Sequence, residues 1–313
     1  MNFLLKKIHE IFAKYNHEKN IFREIRWVNF EFSSRCNLKC KWCTLDHTKP
    51  AQFMEQKILE KALTDLVESS YFCMERIDLH NAGETLLHPE LRKMLDIFKE
   101  KKEKLKVKGV RVISLLTNAT LLCEQKTREI LESGALDEIR FSVDGGTIQD
   151  FQEIRRGADF FQVQNNIVNF LALNHDQIKS GIICIVPPGR PLTTEWMGEE
   201  FKKLLGSVNH FELRYPHRWD GSAELNVPLD KNYWEAKENQ TCKFLLHNLV
   251  VLPNGDVTVC CADLNSRGVI GNVRTTGMNR ILFSKQRKTM IKKFLSGKRF
   301  QIDLCKGCTG YYE

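Results

Sequence analysis

At 313 residues, with 42% hydrophobic and 27% charged residues, the chain is long enough to bury one large core plus a small appendage, and its composition is that of an ordinary globular protein. A net charge of +8 is modest for this length, and the densest basic run, 99–108, is interrupted by Glu100 and Glu103, so it reads as a solvated helix end; nothing has the stacked-aromatic and basic pattern of a nucleic-acid platform. Eleven cysteines without a signal peptide point to thiolate-bound metal in a reducing cytoplasm rather than to disulfides, and no window approaches the ~20 apolar residues of a bilayer span.

The run Phe3 to Tyr15 puts Leu4, Ile8, Ile11, Phe12 and Tyr15 on one helical face. It predicts an N-terminal helical extension over 1–25 that docks on the body or on a membrane surface or partner. Six apolar, β-rich runs follow at 27–33, 76–80, 110–116, 138–143, 181–186 and 210–214. They alternate with helical stretches at 55–69, 89–103, 124–133, 160–173 and 194–205. That alternation belongs to parallel strands with crossover helices, and crossovers of one hand curl into an open, partial (β/α)6 barrel over 26–220. In such an α/β fold the functional groups gather in the loops after the carboxyl ends of the strands.

The first of these loops carries Cys36-Asn-Leu-Lys-Cys40-Lys-Trp-Cys43. Three thiols within eight residues meet only if the loop is compact, and soft thiolates select zinc, copper(I) or iron–sulfur clusters. Zinc sites usually pair thiols as C-x2-C and close with a nearby fourth ligand. Here the spacing is C-x3-C-x2-C, no fourth cysteine is close, and the nearest imidazole is His47. A zinc knuckle or a surface loop with incidental thiols is the plainer alternative.

Three protein ligands on a cluster of four irons leave one iron open. The spacing, with the aromatic Trp42 just before the last cysteine, resembles that of the radical S-adenosylmethionine (SAM) enzymes. The resemblance implies that Cys36, Cys40 and Cys43 hold a [4Fe–4S] cluster whose open iron is chelated by SAM. It further implies that one electron, from a donor such as flavodoxin or ferredoxin, cleaves SAM to methionine and a 5'-deoxyadenosyl radical. Asn81-Ala-Gly83-Glu84-Thr85 resembles the family's Gly-Gly-Glu-Pro stretch, which meets the SAM amino group, although Ala82 and Thr85 depart from it. Thr117-Asn118-Ala119 resembles its Thr-Asn-Gly, beside the cofactor. Alternation on the fourth strand turns Ser142 and Asp144 to the barrel mouth, where ribose hydroxyls need partners, and Phe141 and Val143 to the helices. Glu153-Ile-Arg155-Arg-Gly157 resembles the family's Ile-Arg-Gly stretch, so Arg155 is either a partner for the SAM carboxylate or a surface arginine. Ordinary turns, with His88 as a cap and Pro89 in a first helical turn, remain the plainer reading of several of these segments.

After the sixth strand, Arg214-Tyr-Pro-His217-Arg-Trp219-Asp220 is dense in polar and aromatic groups. Arg214 and His217 are candidates for substrate hydrogen bonds or proton transfer, unless the segment is a solvated linker anchored by Trp219. A domain boundary is expected between 220 and 238. Beyond it, β-like runs at 246–252 and 256–259 flank Pro253-Asn254-Gly255, a strong hairpin signal that would bring Cys242 and Cys260 together. Cys305-Lys-Gly-Cys308 can complete a tetrathiolate site. This arrangement over 221–313 resembles the SPASM or twitch appendage of the radical SAM enzymes, a small cysteine-rich α+β domain carrying auxiliary [4Fe–4S] clusters. Only five residues follow Cys308, so one auxiliary cluster is expected, with a structural zinc site as the alternative. Cys73, Cys123 and Cys184 read as buried small hydrophobes, and Cys261 as a neighbour of a ligand or a hydrogen-atom donor.

The resemblance implies a radical SAM oxidoreductase acting on a small molecule. The leading expectation is two-electron oxidation of a sugar or cyclitol alcohol, with the auxiliary cluster as electron acceptor. Peptide modification, made less expected by the absence of a leader-binding domain at the front, and radical epimerisation are the rival reactions. A non-catalytic iron–sulfur or zinc protein is the rival class.

Overall fold

The computed structural model describes residues 24–221 and 242–308. The helix expected over 3–15 and the boundary expected within 220–238 lie largely or wholly outside the described residues. Six strands pair in parallel and in chain order: β1 (Trp27–Phe30), β2 (Arg76–Asp78), β3 (Val112–Thr117), β4 (Glu138–Ser142), β5 (Lys179–Ile185) and β6 (His210–Arg214). Between them run α1 (Gln56–Glu68), α2 (Leu91–Val107), α3 (Glu124–Ser133), α4 (Ile148–Ile154), α5 (Phe160–Asn174) and α6 (Glu199–Gly206). The longer ones are held by an apolar stripe at helical spacing. α1 buries Ile58, Leu59, Ala62, Leu63 and Leu66, and α2 buries Leu91, Met94, Leu95, Phe98 and Leu105. Helix α4 was not foreseen, and α2 begins at Leu91 with Glu90 as its cap, leaving Pro89 outside its first turn.

Strand alternation sorts the faces. Phe30 packs edge-on against Phe98 of α2 at 5.4 Å, and Phe141 against Phe170 of α5 at 5.6 Å. Their neighbours Asn29, Glu31, Arg140 and Ser142 therefore face the opposite, concave side. That side is charged: Arg76 pairs with Asp78 at 2.8 Å and with Glu138, while Arg140 reaches Asp78 at 3.3 Å and Glu138 at 3.5 Å. Burial drives His80, in the same cluster, down to a pKa of about 4, so its imidazole is neutral at pH 7.

The cysteine-rich C-terminal region does not form a separate sheet. Helix α7 (Lys243–His247) leads into β7 (Asn248–Val251), which pairs in parallel with β1 from Trp27↔Asn248 to Phe30↔Val251. β8 (Asp256–Thr258) and β9 (Val269–Asn272) continue antiparallel, giving one nine-stranded sheet in the order β6-β5-β4-β3-β2-β1-β7-β8-β9. Helices α8 (Met278–Leu282) and α9 (Lys285–Leu295) follow. The hairpin expected at 253–255 forms, but the run 246–252 begins as the end of a helix. No helix among the described residues is long and apolar enough to cross a membrane.

Candidate metal centres

The loop after β1 is held from two sides. Lys39 N–H donates to the Arg156 carbonyl at 3.1 Å and Lys41 N–H to the Ile154 carbonyl at 2.8 Å, which seats the loop on the end of α4. From the β2 side, Glu84 N–H donates to the Arg35 carbonyl at 2.8 Å. Gly83 lies so close there that a Cβ would overlap the Ser33 carbonyl oxygen. A side chain at 83 would push the β2 loop off the segment that leads into Cys36.

Each thiol of this loop meets a donor. Asn118 Nδ2 lies 3.9 Å from Cys36 Sγ, Arg155 Nη1 lies 3.7 Å from Cys40 Sγ, and the Leu45 N–H faces Cys43. Burial nevertheless raises all three thiols, Cys36 to about 12, with the neighbouring thiols adding to the rise at Cys36 and Cys43. As bare thiols they stay protonated, and the donors are left facing neutral sulfur. A soft metal that takes thiolates reverses both effects, so the residues fit such a group. The buried Trp42 Nε1 beside the loop has no hydrogen-bond partner in the structure.

Behind the thiols lies a connected polar set. Glu84 is 3% exposed, and its carboxylate accepts from Leu86 N–H at 3.1 Å, Thr117 Oγ1 at 2.8 Å and Asn118 N–H at 2.8 Å. Burial outweighs these bonds and raises its pKa. Asn118 also binds Asn37 Oδ1 at 3.0 Å, and Asn37 donates to Thr120 Oγ1 at 2.8 Å. Asp144 accepts from Ile185 N–H at 2.8 Å and pairs with Arg155 at 2.7 Å. Burial would lower the Arg155 pKa, but Asp144 and then Cys40 outweigh it, so the guanidinium stays charged beneath the loop. Ser142 is buried at the carboxyl end of β4, on the concave side. The structure thus gathers Gly83, Glu84, Asn118, Asp144 and Arg155 around the first cysteine loop, where Asp144 pairs with Arg155.

The second set draws on three segments. Cys242 precedes α7, Cys260 follows β8, and Cys305 and Cys308 lie in the closing turn. Burial pushes Cys242 up to about 11, and Cys260 adds to the rise. Burial also raises Cys305, followed by Cys260, Cys242 and Cys308, so Cys305 senses the other three thiols. Cys260 is raised first by its hydrogen bond with Cys261. Arg299 opposes the rise at Cys242 and Cys305, and its Nη2 donates to the Cys308 carbonyl at 3.0 Å. No sequence motif pointed to Arg299. Among the described residues, no three His, Cys, Asp or Glu side chains close on one point as for a single metal ion. A cluster of several irons spreads its thiolates wider than one ion does. The remaining cysteines correct an expectation: Cys184 is buried and donates to the Gly145 carbonyl at 3.4 Å, but Cys73 and Cys123 are exposed, at a loop and at the cap of α3.

The segment after β6 links the two sets. Trp219 Nε1 donates to the Trp42 carbonyl at 2.7 Å, Asp220 pairs with Arg267 at 3.3 Å, and Gly221 lies against the backbone of Gly307, between Cys305 and Cys308. His217 is buried, and its Nδ1 accepts the Trp219 N–H at 3.0 Å. Burial and then Arg214 drive its pKa down to about 3, while Arg214 is engaged with Glu212.

The sequence profile described as the radical SAM superfamily matches residues 30–196, more than half of the chain. The chain belongs to the radical SAM superfamily. Residues 242–309 match the SPASM profile, described as an iron–sulfur cluster-binding domain. As a superfamily member the chain takes SAM and a [4Fe–4S] cluster, with auxiliary iron–sulfur binding in the C-terminal domain. Among curated relatives it is similar to the GTP 3',8-cyclase of Limosilactobacillus fermentum, 27% identical over 160 residues, 51% of this chain and 46% of that protein. It is likewise similar to a probable GTP 3',8-cyclase of Methanococcus maripaludis, 28% identical over 166 residues, 49% of this chain and 51% of that protein. The chain spans about half the length of the curated relatives it matches. Among solved structures, BtrN in complex with AdoMet and 2-DOIA shares the fold with a TM-score of 0.59 at 18% identity, covering 92% of this chain and 94% of that one. Streptococcus suis SuiB bound to precursor peptide SuiA has a TM-score of 0.67 at 14% identity, covering 95% and 75%.

Proposed function

We propose that this radical SAM enzyme oxidises an alcohol of a small polyhydroxylated ring, a sugar or cyclitol, by two electrons. Cys36, Cys40 and Cys43 would hold the SAM-binding cluster, and Cys242, Cys260, Cys305 and Cys308 one auxiliary cluster that accepts an electron. Bound there, the first cluster and SAM would supply the one-electron cleavage of the sulfonium that makes hydrogen abstraction possible. The chain's own residues do the rest. Asn118, Arg155 and the Leu45 N–H stabilise thiolates, Glu84 and Ser142 face the cosubstrate, Asp144 orients Arg155, and the charged concave face of β1 to β4 receives a polar ring.

The observation that carries this reading is the second set: Cys242, Cys260 and Cys308 all act on Cys305, giving four thiols in one neighbourhood where the first loop offers three. A cluster with four protein ligands has no open iron for substrate, which suits it to take an electron, its potential set by burial and by Arg299. The near-equal mutual coverage with BtrN, solved with a small ligand, supports a small-molecule substrate. The likeness to SuiB with its peptide keeps peptide modification as the competing outcome. Flavodoxin or ferredoxin is the proposed electron source and a reducing cytoplasm the proposed compartment, in keeping with eleven free cysteines.

The test is anaerobic turnover with a panel of sugars and aminocyclitols deuterated at the carbinol carbon. The proposal expects one deuterium in 5'-deoxyadenosine per ketone formed. Solvent hydrogen incorporated without net oxidation would mean epimerisation, and turnover with a peptide alone would mean maturation.

A further inference from the structure

Among the described residues, the side chain of Asn265 ties the C-terminal region back to the first cysteine loop. Asn265 lies in the turn between β8 and β9, and that turn is rigid: Asp263 accepts from Thr258 Oγ1 at 2.6 Å, Arg267 N–H at 2.7 Å and Gly268 N–H at 2.7 Å. From this platform Asn265 Nδ2 donates to the Thr44 carbonyl at 2.7 Å, and its Oδ1 accepts the Asp46 N–H at 3.0 Å. The Thr44 carbonyl belongs to the peptide whose N–H is Leu45, and that N–H faces the sulfur of Cys43. A hydrogen bond at the oxygen of an amide makes its N–H a stronger donor. Donation to a ligating sulfur stabilises the extra electron of a reduced cluster.

The carbonyl on the other side of Cys43 serves as a contrast. Trp42 C=O accepts from Trp219 Nε1 at 2.7 Å, but the N–H of that peptide goes to the Cys40 carbonyl at 3.2 Å rather than to sulfur. Trp219 therefore fixes the shape of the loop, whereas Asn265 also acts on the charge at its sulfur.

We propose that Asn265 is a positioning residue for the first metal centre: by polarising the Thr44–Leu45 peptide it makes a cluster held by Cys36, Cys40 and Cys43 easier to reduce. The C-terminal region thereby tunes the site that starts the reaction, in addition to binding iron of its own. This inference rests on the assignment of the SAM-binding cluster to those three cysteines.

The experiment uses the full-length, anaerobically reconstituted protein and follows, by electron paramagnetic resonance during reductive titration, the signal that changes when SAM is added. Asn265→Ala is expected to retain the iron content and the SAM response of the wild type. Its midpoint should move negative by a roughly threefold change in the reduction equilibrium, about 30 mV for one electron. If Asn265→Ala loads iron poorly, Asn265→Asp, which keeps an acceptor for the Asp46 N–H but loses the donor, should shift at least as far. Trp219→Phe should titrate with the wild type. Asn265 variants that titrate with the wild type, or a Trp219→Phe shift of the same size, overturn the inference. Cys43→Ala separates the two failures: a SAM-responsive signal that survives it defeats the cluster assignment, whereas its loss beside unshifted Asn265 variants defeats only the inference.

Discussion

The two cysteine regions are built on opposite plans. The first takes three thiols from one eight-residue loop and meets each with a donor: an amide from the β3 loop, a guanidinium from the end of α4 and a backbone N–H from the loop itself. The second takes four thiols from three segments spread over positions 242–308, brings three of them within reach of the fourth, Cys305, and sets the cation Arg299 beside them. A site short of one ligand and open to a charged concave face is suited to binding a reactant. A site with its own full ligand set is suited to holding charge. The difference between ligand sets, more than the fold that carries them, is what separates initiation from electron acceptance in this account.

The strongest challenge to that division is to remove a thiol from each plan. Cys40→Ala should abolish 5'-deoxyadenosine release, a larger loss than the roughly 100-fold that loss of an outer partner costs. Cys305→Ala should lose about four irons per chain yet keep SAM cleavage, measured by iron counting and chromatography on the same preparations. Equal loss of SAM cleavage in both variants would erase the distinction.

A smaller effect concerns the cation beneath the first loop. Asp144→Asn strips the buried counter-ion from Arg155, whose side chain is 14% exposed, and unfolding of the metal-free protein should become easier by about 3 kcal/mol. Metal-loaded protein should lose less, because the Cys40 thiolate then faces the same guanidinium; denaturant titration of both forms measures the gap.

The seam between the two regions has its own titrating group. Glu31 follows β1, its N–H donates to the Val251 carbonyl of β7 at 2.9 Å, and its Oε2 accepts from Asn81 Nδ2 and Ala82 N–H, both at 3.0 Å. Burial raises its pKa from 4.5 to about 7, with Asp263 of the C-terminal region adding to the rise. The folded state therefore prefers the protonated carboxyl. Stability from this group is full below pH 4.5 and is lost as pH rises to about 7, a total of about 3 kcal/mol. Glu31→Gln should match the wild type near pH 5 and exceed it near pH 8. Comparing the two proteins at each pH cancels the opposite trend from His80 and His217, whose lowered pKa values cost stability on acidification. Smallest of all, Ala119 stands in the left-handed region at φ 58°, where the resembling family motif has glycine. Ala119→Gly should raise stability by about 0.5–1 kcal/mol in thermal unfolding, since relief of the Cβ clash exceeds the added chain entropy.

Much of this was legible before the structure. The cysteine spacing, the alternation of β-rich and helical runs, and the position of the motifs after strand ends follow from local pattern; α3 and β6 begin and end where the pattern puts them. What could not be read depends on partners far away in sequence. The β1–β7 pairing joins residues more than 200 positions apart, so the C-terminal region looked like a separate appendage. Asn265, Arg299 and the link from Trp219 to Trp42 carry no motif, because their meaning lies in which carbonyl or thiol they meet. The charged concave face was visible only as the alternation Arg76-Ile-Asp78 and Glu138-Ile-Arg140, which a reading for apolar strands passes over. Residue type alone places the thiols of Cys73 and Cys123 in the core, and neither loop nor cap offers them cover.

The most direct test is Mössbauer and paramagnetic resonance spectroscopy of one anaerobically reconstituted sample before and after SAM. The account predicts about eight irons per chain in two cubane clusters, with SAM perturbing one and leaving the other untouched. Zinc on the first three sulfurs, about four irons in all, or spectra indifferent to SAM would contradict it.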